Sequence, residues 1–140
     1  MKILIPVDGS AYTKKALAFL VTHEGLAGAA PEILVLHVQP PMPPRVKTMV
    51  GAAAVRDYQR EESEKVLQPV DRFLRRHGIT AECRWVAGHA GEEIVRAAAR
   101  DKAQMIVMGT HGHGLVGRAL MGSVAQRVVT DCTVPVLLVK

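Results

Sequence analysis

Only five of the 140 residues are aromatic: Tyr12, Phe19, Tyr58, Phe73 and Trp85. That is too few for a surface on which successive bases stack. The formal charge of +5 is dispersed, apart from Arg72, Arg75 and Arg76, so no nucleic-acid partner is expected. Cysteine is scarce, and Cys83 and Cys132 fall in no CxxC or metal-ligand spacing. Such usage fits a reducing compartment, and a cytoplasmic location is expected. No apolar run approaches the ~20 residues of a membrane span. The opening Met1–Val7 is too short for a signal-peptide core and ends on Asp8, so neither membrane nor secretion is expected. One absence is local. From Ala103 to Thr130 there is no Asp or Glu, whereas Arg118 and Arg127 are present.

What is there alternates between short apolar runs and amphipathic stretches. Strands are expected over residues 3–7, 32–38, 79–86, 105–108 and 134–139. Helices are expected from Ser10, a capping residue, to about His23, over 53–77 with Gly78 as the stop, over 91–102 and over 123–131. The pattern predicts an α/β fold: a single-domain, parallel five-stranded open sheet with helices on both faces. Three runs are continuously apolar, as strands covered on both faces are. Residues 79–86 alternate instead, which suits an edge or half-exposed strand. Pro6 is placed at the last turn of strand 1 or at a bulge, because a missing N–H would break a ladder. Pro69 is expected to kink or split its helix. Pro40–Pro44 is a stiff connector within the longest loop, which runs through Gly51-Ala52 and is long enough to cover a site. Ligands of such sheets bind beyond the strands' carboxyl ends, where strand order reverses. That selects the loops after Val7, Val38 and Met108.

The third of these loops reads GTHGHGLVGRALMGS over 109–123 and holds five of the twelve glycines. Strand, glycine-rich loop and helix start together form an anion site, because glycines permit positive φ and close approach and the helix end offers unpaired N–H groups. A phosphate, and with it a nucleotide, is the expected ligand. Two well-known motifs overlay the loop and fail. Gly112-His113-Gly114-Leu115-Val116-Gly117 matches G-x-G-x-x-G, but only one strand follows and no acidic residue for a ribose lies beyond it. Gly117 to Ser123 resembles a P-loop with Ser123 where the lysine must stand.

A third pattern fits fully. Gly109, Gly112 and Gly122-Ser123 make G-x₂-G-x₉-G-[ST], and Ile5-Pro6-Val7-Asp8-Gly9-Ser10, Leu36-His37-Val38 and Val134 to Val139 accompany it. With these, the chain resembles the universal stress protein family, in its ATP-binding branch, over nearly its whole length. The resemblance implies a Rossmann-like fold of the adenine-nucleotide α-hydrolase type, ATP with Mg²⁺ carried on its phosphates, and a homodimer through the last strand. It sets Asp8 on the ribose or adenine side and the Val38 backbone at the adenine edge.

The residues agree with that division. Gly109 and Gly112 release the loop beside the phosphates, and Gly122 and Ser123 start a helix whose N–H groups face the anion. His113 and Arg118 are the expected phosphate contacts. Pro6, Val7, Met108 and Val124 supply the apolar walls a purine needs. Asp8, acidic in a site built for anions, is expected away from the phosphates. His111 and His113 lack the partners of a metal site, so no protein-ligated metal is expected. Glu92 and Glu93 read as the favourable first turn of a helix, and no residue is assigned a catalytic role. Three readings stay open: a nucleotide-responsive stress module, a slow ATPase or phosphotransfer enzyme, and an interaction protein that binds no nucleotide.

Overall fold

The computed structural model describes residues 1–113 and 121–140. In chain order the elements are β1 (Lys2–Pro6), α1 (Ala11–Thr22), a 3₁₀ turn (Glu24–Ala27), β2 (Glu32–Gln39), α2 (Pro44–Val50), α3 (Ala52–Arg76), β3 (Ala81–Ala87), α4 (Ala90–Arg100), β4 (Met105–Gly109), α5 (Ser123–Asp131) and β5 (Val136–Val139). The strands form one parallel sheet in the order β3-β2-β1-β4-β5.

Burial on both faces explains the apolar runs. In β1, Ile3 and Ile5 point into one core with Leu17, Leu20 and Leu74 from α1 and α3. Leu4 points the opposite way and packs with Ile94, Ala98 and Val128 from α4 and α5. This is the period of two that a strand imposes. β3 lies at one edge of the sheet, with a mostly half-buried strand pattern, as its alternation predicts.

Ser10 caps α1 by accepting the Thr13 N–H at 3.4 Å. Gly78 ends α3 at φ +75°, with Gly78 N–H on Arg75 O and Ile79 N–H on Leu74 O, the paired bonds of a left-handed helix stop. Two expectations are corrected in part. The segment after β2 is not all loop: α2 forms inside it, opened by Pro44 in its first turn and closed by Gly51 at φ +87°. Nor does Pro69 split its helix, since α3 is continuous from Ala52 to Arg76. Pro69 and Lys65, whose carbonyl loses its partner there, are both exposed, so water can satisfy the lost bond.

Strand order reverses between β2 and β4 on either side of β1, and this opens a crevice at the carboxyl ends. Pro6 stands at its floor. Val7 N–H donates to Leu36 O at 2.9 Å, so by alternation residue 6 directs its backbone toward β4. Pairing of β1 with β4 has already ended at Leu4↔Ile106. The missing N–H therefore breaks no ladder bond.

Candidate functional site

A cavity of about 260 Å³ fills the crevice. β1 and its continuation supply Pro6, Val7 and Asp8, and β2 supplies Val38. Met108, Gly109, Gly112 and His113 come from the end of β4 and the loop after it, and Gly122, Ser123 and Val124 from the start of α5. Arg118, the remaining residue singled out in the sequence, lies outside the described residues. Thr13, Leu36, Ala90, Ile94, His111 and Ala125 also line the cavity. Sequence reasoning passed over Thr13 and the α4 pair. Ile94 read only as core, and Ala90, one helical turn before it, fell outside the helix expected over 91–102. Thr13, three residues after the cap Ser10, read only as helix.

Asp8 is fixed by the turn that follows β1. Its Oδ1 accepts the Ser10 N–H at 2.9 Å and the Thr13 hydroxyl at 2.8 Å. The Asp8 N–H in turn donates to Thr13 Oγ1 at 3.0 Å. Gly9, at φ +79°, lets the chain make this turn. Burial opposes ionisation of Asp8. The hydrogen bonds from Ser10 and Thr13 and the nearby His113 outweigh it, so the carboxyl sits below its ordinary range. His113 reaches across from the glycine loop, and its Nε2 donates to the Asp8 carbonyl at 2.7 Å.

The described glycines of the loop act through the absence of a Cβ. Gly109, Gly112 and Gly122 are not among the residues with positive φ, so that part of the expectation is corrected. A Cβ on Gly109 would lie 2.5 Å from Tyr12 Cβ and 3.0 Å from Tyr12 O. One on Gly112 would lie 2.4 Å from Asp8 Oδ2. Gly122 also closes the loop, because its N–H donates to Thr110 O at 2.7 Å. It therefore does not offer that N–H to an anion, contrary to expectation. The donors at the helix start are those of Ser123, Val124 and Ala125.

α4 and α5 both begin at the cavity, and their first turns differ. α4 carries Glu92 and Glu93 there, which complement its own dipole. α5 has no acidic residue in its first turn and, with glycine at the cap, no side-chain cap. Its positive end is thus left for an external anion. The cavity also has an apolar lining, from Leu36, Val38, Ile94 and Met108. The Val7 carbonyl, which a continuing parallel ladder would give to the Val38 N–H, accepts from His37 Nδ1 at 2.9 Å instead. Buried His37 thereby ends the ladder where Val38 meets the cavity.

The model of the universal stress protein family matches residues 1–140. The chain belongs to the universal stress protein family. A universal stress protein of Thermus aquaticus, from the QAH/OAS sulfhydrylase 3′ region, is 34% identical over 139 residues, covering 99% of this chain and 97% of its own. Among solved structures, hypothetical protein MJ0577 of Methanocaldococcus jannaschii superposes with a TM-score of 0.84 at 30% identity, over 99% of this chain and 94% of that one. The universal stress protein of Archaeoglobus fulgidus, solved in complex with dAMP, shares the fold at a TM-score of 0.72 and 23% identity, over 100% and 98% of the two chains. Among the described residues of this universal stress protein, no helix is long and apolar enough to cross a membrane.

Proposed function

We propose that this universal stress protein binds ATP in the crevice between β1 and β4 and works as a homodimeric, nucleotide-responsive module in stress survival, in the cytoplasm. The observation that carries the reading is the contrast across one cavity. An uncapped, acid-free start of α5 and an apolar lining share it. That pairing suits a phosphate chain joined to a purine. Phosphates would meet the N–H groups of Ser123 to Ala125 and the Ser123 hydroxyl, with His113 and Arg118 as further contacts. The base would lie against Val38 and Met108, and Asp8 would accept from the nucleoside. The dAMP complex of the Archaeoglobus fulgidus relative supports an adenine nucleotide as the ligand class.

Mg²⁺ would arrive on the nucleotide. Among the described residues no three His, Cys, Asp or Glu side chains cluster as a metal site. Asp8 is the one carboxylate among the cavity's described lining residues, and its Oδ1 is already engaged. The ion would therefore be held through phosphate oxygens, as Mg²⁺ commonly is.

Dimerisation would use β5, whose four residues are apolar and half-buried and whose outer edge pairs with no described strand. A second copy of the strand, antiparallel about a twofold axis, satisfies that edge.

Mass spectrometry of ligand released from purified protein tests the nucleotide assignment. An adenine nucleotide is expected. A guanine nucleotide, or no nucleotide retained and none taken up on addition, contradicts it.

A further inference from the structure

Thr13 makes two hydrogen bonds to a single neighbour. Its Oγ1 accepts from the Asp8 N–H at 3.0 Å and donates to Asp8 Oδ1 at 2.8 Å. The hydroxyl has one proton, so the direction of each bond is fixed: the backbone donor must be accepted and the carboxylate must receive. Thr13 is 5% exposed and lines the cavity itself. The Ser10 N–H adds a second donor to the same oxygen. Oδ1 is thus held on the α1 side, while Oδ2 lies against Gly112 at the glycine loop. A carboxylate held in this way can only accept.

We propose that Thr13 is the positioning residue of the site. Resting on the nucleotide reading above, it aims the Asp8 carboxylate at a hydrogen-bond donor on the nucleoside half of the ligand and so sets selectivity for nucleotides that carry that donor. Two groups of an adenine nucleotide with this chemistry are the exocyclic amine of the base and the 2′-hydroxyl of the ribose. Rejection of an analogue lacking the donor follows from the unpaired, desolvated carboxylate it would leave behind.

Protonation state adds an independent readout. Despite its burial, Asp8 is held below the ordinary carboxylate range, partly by the Thr13 bond. Without the Thr13 hydroxyl its pKa rises, and Asp8 becomes protonated at a higher pH. The other titratable groups around it are histidines: His113 on its carbonyl, His111 in the same cavity wall and His37 on the neighbouring Val7 carbonyl. The Asp8 contribution to the acid limb is therefore read as the difference between wild type and the Thr13 variants.

The experiment titrates wild type, Thr13→Val and Thr13→Ser with Mg-ATP, Mg-dATP and Mg-ITP, each across a range of acid pH. Wild type is expected to prefer ATP to one analogue. The inosine nucleotide is disfavoured if the amine is read, and the deoxynucleotide if the ribose 2′-hydroxyl is read; equal wild-type affinity for all three overturns the proposal. Thr13→Val is expected to lose about tenfold in ATP affinity, to lose that preference and to move the acid limb to higher pH, while Thr13→Ser restores all three. Should Thr13→Val fail to fold, Thr13→Ala removes the same hydroxyl without placing a branched apolar side chain beside the carboxylate. Equal losses for all three ligands with an unmoved acid limb would reduce Thr13 to a fold residue and overturn the proposal, as would no change at all. A wild type that binds none of the three fails at the nucleotide reading beneath it, a distinct result that removes both.

Discussion

The Gly122 N–H donates to the Thr110 carbonyl at 2.7 Å, across a chain separation of twelve residues. The two ends of the glycine loop are therefore joined at the base, and α5 starts from a fixed point. Thr110 is 5% exposed and is tied to β5 as well, since its own N–H donates to Val139 O at 3.0 Å. The start of α5 thus inherits its position from the sheet.

The close approach at Gly109 predicts a stability effect. A methyl there would meet the Tyr12 Cβ and backbone, neither of which is the far end of a flexible chain. Gly109→Ala is expected to cost about 1–3 kcal/mol of unfolding free energy, as overpacking does. In Gly112→Ala the methyl meets Asp8 Oδ2 instead, so nucleotide affinity should fall more than stability. Urea denaturation and ligand titration on both variants check the contrast. Equal stability losses would count against it.

His113 joins the glycine loop to β1 through the Asp8 carbonyl, and it does so from an exposed position. His113→Ala should cost no more than about 1 kcal/mol of stability. Amide exchange at the residues flanking it should rise clearly. Unchanged exchange at Gly112 would show that the bond does not hold the loop.

The acid limb of stability should carry the signature of Asp8. Its folded pKa lies below the ordinary value, so its ionisation stabilises the fold fully above the unfolded pKa. That contribution is lost as pH falls through the folded value. Wild type should exceed Asp8→Asn in stability at about pH 6, and the gap should narrow as pH falls below the ordinary carboxylate range. A gap that stays constant with pH would contradict the assignment.

Cys83 should resist alkylation. Burial, then the charge and hydrogen-bonding proximity of Asp71, push its thiol up to about 11. Iodoacetamide labelling at mild alkaline pH is expected to be slow at Cys83 and partly restored in Asp71→Asn, because burial remains. Rapid labelling of the folded wild type would contradict this.

Strand and helix periods made the sheet, its two covered faces and the crevice legible, because Ile3, Leu4 and Ile5 bury on alternate sides. The spacing of Gly109, Gly112 and Gly122 likewise pointed to one loop. Hydrogen-bond partners across long separations were not legible. That Gly122 spends its N–H on Thr110, or that His113 reaches Asp8 over 105 positions, follows from tertiary placement. Thr13 was missed for a related reason: on α1 it has the pattern of a core residue, and only the turn at Gly9 brings Asp8 back onto its hydroxyl. α2 escaped notice because it buries no residue and so leaves no apolar period to read.

Equilibrium titration of wild type and Gly122→Val with Mg-ATP tests the nucleotide site most directly. A Cβ at Gly122 would already stand 3.2 Å from His111 Cα and 3.4 Å from Thr110 O, so a valine must push apart the loop base that fixes α5. Saturable one-to-one binding by wild type, weakened at least about tenfold in a folded Gly122→Val, is the predicted result. No binding by wild type, or equal affinity in the folded variant, would contradict it.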